Sequence, residues 1–120
     1  MRLAAGLPEL MAQGPEARAR VAVKRLLAQV TSFLVVDTEQ GFRPGRGGTR
    51  VTPGLSDLIL VGHGRIVFVE MKSQKGRQTP EQRAFQEAVE RSGGTYLLWR
   101  SDVDAWMWLE DERIVKGASR

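Results

Sequence analysis

Two apolar runs joined by a three-residue turn constrain the fold of this chain more than any other feature. Leu58-Ile-Leu-Val61 and Ile66-Val-Phe-Val69 flank Gly62-His63-Gly64. Short runs of this kind, rich in Ile and Val and separated by turn residues, predict a β-hairpin with strands over 56–61 and 65–72. The second run is apolar at consecutive positions, so both of its faces are buried and it belongs in the interior of a sheet. Three charges interrupt the pattern: Asp57, Glu70 and Lys72. Glu70 and Lys72 stand two apart and therefore share a face of the strand. In an antiparallel hairpin centred on His63, opposed residue numbers sum to about 126, which places Asp57 near position 69 or 70. Carboxylates that close repel unless a cation or a proton lies between them.

The elements around the hairpin follow from period and punctuation. Gly14-Pro15 marks a helix start, and Ala19, Ala22, Val23, Leu26, Leu27 and Val30 form its apolar face. Glu16 falls on or beside that face; a first-turn acid is also favoured by the helix dipole. Residues 33–37 predict a first strand. Gln40 to Gly54, with five glycines, two prolines and three arginines, predicts a long loop. Thr79-Pro80-Glu81-Gln82 predicts a capped helix start, with Gln82 either completing the capping box or pointing inward with Phe85, Ala88, Val89 and Ser92. Gly93-Gly94 ends this helix. Thr95–Trp99 predicts a fourth strand, and Ser101 is placed as the cap of a short last helix that packs Val103, Trp106 and Met107 on the sheet. Trp99, Trp106 and Trp108 read as core or covering groups, and His63 as a turn residue. Residues 1–12 show no period and are expected to form a mobile tail; residues from about Ile114 are expected to add a strand or fray. Residues 13–120 are expected to form one domain. The order α-β-β-β-α-β followed by a short element predicts an α/β fold, a mixed β-sheet flanked by helices.

Composition narrows the class of function. A length of 120 residues suits one core. The absence of cysteine excludes a disulfide framework, a thiolate metal site and a thiol nucleophile. No apolar run nears the roughly 18 residues that cross a bilayer, so no membrane partner is expected and a cytoplasmic setting fits. Charge is unevenly spread. From Arg43 to Arg77, seven basic residues accompany two acids, Asp57 and Glu70, whereas Glu81 to Glu112 holds three basic and eight acidic residues. A solvated basic loop explains that much, but a basic segment around two isolated carboxylates also fits a polyanionic substrate drawn to a metal site. Two carboxylates suit magnesium, which prefers a few carboxylate oxygens and keeps several waters, and a nearby lysine can orient water and stabilise negative charge. Read alone, Glu-x-Lys on a strand is a common wet-face pattern.

Taken in order, Gly54-Leu-Ser-Asp57, Phe68-Val-Glu70-Met-Lys72 and Gly76-Arg-Gln-Thr-Pro80-Glu-Gln82 resemble the VRR-NUC domain of the PD-(D/E)XK nuclease superfamily, from about Glu16 to about Trp99. The resemblance implies a restriction-endonuclease-like core, Mg2+ or Mn2+ with no organic cofactor, and endonucleolytic cleavage of DNA. Free-standing members, often from phages, resemble Holliday junction resolvases and tend to be homodimers, which implies branched DNA as substrate. By the same resemblance Asp57, Glu70 and the main-chain carbonyl of Met71 bind metal, Lys72 is the catalytic lysine, Glu16 is the first-helix acid and a further candidate ligand, and Gln82 supports the site. Arg43, Arg46, Arg50, Lys75 and Arg77 are expected to contact DNA phosphates. A catalytically silent DNA-binding module on the same fold is the alternative. The family commonly has proline where this chain has Ser56, a residue that fixes backbone rather than ligating.

Overall fold

The computed structural model describes residues 14–39 and 52–115. Their order is α1 (Pro15–Val30), β1 (Leu34–Asp37), β2 (Leu58–Gly62), β3 (Arg65–Met71), α2 (Pro80–Arg91), β4 (Thr95–Trp99) and α3 (Asp102–Asp111). This is a mixed α/β fold with one four-stranded sheet in the order β1-β2-β3-β4. The first three strands are antiparallel; β4 returns through α2 and lies parallel to β3. Strand β3 is interior, as its apolar run predicts. The tight hairpin sets the register: Leu58 faces Val69, and Gly62 faces Arg65. Gly62, His63 and Gly64 all take positive φ.

Directly opposed residues share a face of the sheet. On one face Leu58, Leu60, Val67, Val69 and Met71 are fully buried and join Val23 and Leu27 of α1, Trp99 of β4, and Ala105 and Leu109 of α3 in one core. The other face is covered by α2, through Phe85 against Phe68 and Tyr96. Leu34, Val61 and Ile66 on that face remain exposed.

Two helix faces differ from expectation. In α3 the inward stripe is Ala105, Trp108 and Leu109, while Val103 and Met107 are 60% and 58% exposed and Trp106 is half-buried. The i, i+3, i+4 spacing of the first three residues puts Val103 and Met107 on the outer side and Trp106 at its margin. Ser101 occupies the N-cap, but its side chain makes no capping bond. In α2 no residue is fully buried, and Ala88 and the C-cap Ser92 are exposed, while Phe85 makes the contact with Phe68 and Tyr96. Its start follows the sequence: Pro80 at N1 and a full capping box between Thr79 and Gln82. Ile114 joins the core. The expected tail over 1–12, most of the expected loop, and any strand beyond residue 115 lie outside the described residues.

Candidate active site

Asp57 immediately precedes the first paired residue of β2, so the register that sets Leu58 against Val69 brings Asp57 opposite Glu70. Both are buried, at 7% and 1% exposure. Asp57 is held from several sides. Its Oδ2 accepts from the Met71 amide at 2.8 Å, and its carbonyl accepts from the Thr38 amide at 3.0 Å. Ser56, at the position where proline would constrain the backbone, is fully buried. Its hydroxyl donates to Leu58 O at 3.0 Å, and its carbonyl accepts from Thr38 Oγ1 at 2.8 Å. Hydrogen bonds thus do here what a ring would do. Gly54, at φ +78°, lets the same segment press on the first turn of α2, where a Cβ would overlap the Glu81 carbonyl. No side chain fits that approach.

Glu70 Oε2 accepts from Gln82 Nε2 at 2.8 Å and lies 3.7 Å from the Lys72 ammonium. Glu70 Oε1 is buried with no hydrogen-bond donor among the described residues. Gln82 therefore serves both roles the sequence left open. Its Oε1 accepts from the Thr79 amide at 2.9 Å, closing the capping box, and its amide nitrogen reaches Glu70. Helix capping fixes the glutamine that fixes the glutamate.

The electrostatics follow from burial. Desolvation is the main force pushing Glu70 up from 4.5 to about 8; the Asp57 charge adds to it, Lys72 opposes it, and Glu16 adds further. Asp57 is also raised, chiefly by desolvation, against the Met71 amide and Arg20. The two carboxyl groups can bond to each other only by sharing a proton, and that sharing raises Glu70 and lowers Asp57. A cation placed between them would relieve the same repulsion. The donor set is hard carboxylate oxygen, one of them an orphaned buried atom, and it fits a divalent ion of the magnesium type. Among the described residues no three His, Cys, Asp or Glu side chains gather around one point. Asp57 and Glu70 are the close pair, and Glu16, half-buried at the start of α1, acts on both through its charge.

The remaining candidates divide by position. Met71 meets the site through its main chain alone, since its side chain is buried in the opposite face. Lys75 and Arg77 are in the segment between β3 and α2. Arg43, Arg46 and Arg50 lie outside the described residues. On the other flank, Arg20 pairs with Glu39 at 2.9 Å and Lys24 with Asp37 at 2.7 Å. Burial alone would raise Asp37, but the Lys24 bond, the Glu39 amide and the two cations together lower it. Sequence reasoning missed Thr38, whose hydroxyl and amide tie β1 to the Asp57 segment, and Arg100, which binds carbonyls after β3. Neither carries a pattern in sequence, because both act through main-chain partners. His63 is a turn residue that also ties the hairpin to the end of α1. Its Nε2 accepts from the Ser32 amide at 3.0 Å, and its ring meets Phe33 edge-on.

No helix among the described residues is long and apolar enough to cross a membrane. Compared with protein-family models and with curated proteins, the sequence matches none.

Proposed function

We propose that the chain is a divalent-metal-dependent endodeoxyribonuclease with a restriction-endonuclease-like, VRR-NUC-type core, acting on branched DNA as a homodimer in the cytoplasm. One observation carries the reading: two buried carboxylates face each other, one oxygen of Glu70 has no hydrogen-bond donor among the described residues, and a lysine stands 3.7 Å from the other oxygen of the same group. A structural reading leaves that arrangement costly, because buried acids without donors destabilise a fold. A bound Mg2+ or Mn2+ supplies charge neutralisation and an acidified water. Asp57, Glu70 and the Met71 carbonyl would hold it, with Glu16 nearby for a second ion. Lys72 would orient the attacking water and face the negative charge that builds on phosphorus. Gln82 would keep Glu70 in one rotamer. Lys75, Arg77 and the arginines at 43, 46 and 50 would bind phosphates in a salt-dependent way.

The test is cleavage of four-way junction, flap and linear duplex DNA, with Mg2+ and with chelator. Metal-dependent cutting, lost by at least about 100-fold in Lys72→Ala with DNA binding retained, is expected. No cutting of any substrate, or cutting undiminished in Lys72→Ala, would reject the reading in favour of a silent DNA-binding module.

A further inference from the structure

We infer that Arg100 is a positioning residue for Lys72, acting through the turn at 73–76. The inference rests on the nuclease reading for its effect on cleavage. Strand β4 runs parallel beside β3, with Met71 against Trp99, and the Lys72 amide donates to Trp99 O at 3.0 Å. The chain leaving β3 therefore passes directly beside Arg100, which leaves β4. Arg100 Nη1 lies 2.5 Å from Ser73 O, 2.8 Å from Gly76 O and 3.3 Å from Gln74 O. The Gly76 amide closes the turn onto Ser73 O at 3.1 Å. Three carbonyls wrapped on one cationic nitrogen define the path of the turn, since charge-assisted bonds are the strong ones. The arginine is itself anchored: its amide donates to Asp104 Oδ2 at 2.8 Å, on the first turn of α3.

The turn reaches Lys72 through Gly76. A Cβ added at Gly76 would stand 3.3 Å from Lys72 Cδ and 3.1 Å from Ser73 Oγ, so the bare backbone forms a wall along the lysine stem. Lys72 is largely buried, at 11% side-chain exposure, and its ammonium lies 3.7 Å from Glu70 Oε2. A stem confined by that wall holds the ammonium beside Glu70. With the cation removed, the three carbonyls repel and the wall moves. Misplacing a catalytic group by about 1 Å can cost on the order of 100-fold in rate.

The experiment compares wild type, Arg100→Ala, Arg100→Lys and Lys72→Ala in single-turnover cleavage at saturating DNA, alongside DNA affinity. It is repeated with added guanidinium below denaturing concentration. In parallel, NMR of 13C-methylated lysines follows the Lys72 signal in wild type and Arg100→Ala without metal or DNA. Arg100→Ala is expected to lose about 10- to 100-fold in rate with affinity changed less than about 3-fold. Guanidinium restores much of that rate in Arg100→Ala and none in Lys72→Ala, Arg100→Lys keeps part of it, and the Lys72 signal shifts. A rate within about 2-fold of wild type, or a loss that neither guanidinium nor Arg100→Lys recovers, overturns the inference. If wild type cuts no DNA, the nuclease reading fails on its own, and the Lys72 signal alone decides: unchanged in Arg100→Ala, the positioning role is wrong.

Discussion

Strand β3 buries Val69 on one face and Glu70 on the other to nearly the same depth, 0% and 1% exposed, yet the two faces are built on opposite terms. Val69 sits among Leu58, Leu60, Met71 and Leu27, where burial itself stabilises. Glu70 sits opposite Asp57, where burial drives its carboxyl up to about 8 and one oxygen has no donor among the described residues. The apolar face stabilises the fold; the acidic face draws on that stability to keep a repelling pair in place. Such local conflict is what functional sites show within otherwise consistent sequences.

The largest expected effect separates the faces outright. Glu70→Gln keeps the shape and the hydrogen bond from Gln82 but removes the charge. Metal-dependent cleavage should fall by at least about 1,000-fold, while the melting temperature without metal stays the same or rises. An active Glu70→Gln variant, or one that unfolds, would mean that Glu70 belongs to the fold and not to a site. On the opposite face, Leu60→Ala should destabilise by about 2–5 kcal/mol, measured by denaturant unfolding. The molecules that remain folded should cut DNA at the normal rate. A selective loss of cleavage in Leu60→Ala would show that the two faces are coupled more closely than their separation by the sheet suggests.

The core face and the acidic face are unequally legible in sequence. Hairpin register is arithmetic on a tight turn, so Asp57 opposite Glu70 follows from residue numbers with His63 as the centre; the observed pairs sum to 127. Proline and the capping box fix the start of α2, and with it the direction of Gln82. The inward side of α3 is harder. Val103, Trp106 and Met107 are larger than Ala105, so size points to the wrong stripe, and packing against α1 and β4 selects the phase. The bonds of Thr38 to the Asp57 segment and of Arg100 to three carbonyls are illegible because main-chain acceptors have no sequence signature.

A gentler perturbation, pH, distinguishes the two faces without changing a side chain. The buried residues of β3 on the apolar face, Val67, Val69 and Met71, do not titrate. On the acidic face Glu70 titrates at 4.5 when unfolded and about 8 when folded. Its folded-state pKa is raised, so its contribution to stability is fully present below about pH 4.5 and is lost as pH rises toward 8, the unfolded chain binding fewer protons throughout that window. Asp57 is raised as well and acts in the same direction. Asp37, lowered from 3.8 despite its burial, acts in the opposite sense, but only as pH falls through the acid range below that value. Without metal, the melting temperature should therefore decline by on the order of 10 °C between about pH 5 and pH 8, and Glu70→Gln should flatten the decline. Added Mg2+ must displace the shared proton, so its stabilising effect should grow across the same interval. A flat wild-type profile, or a slope that survives in Glu70→Gln, would mean that the Asp57–Glu70 pair does not hold the proton, and the contrast between the two faces of β3 would lose its electrostatic basis.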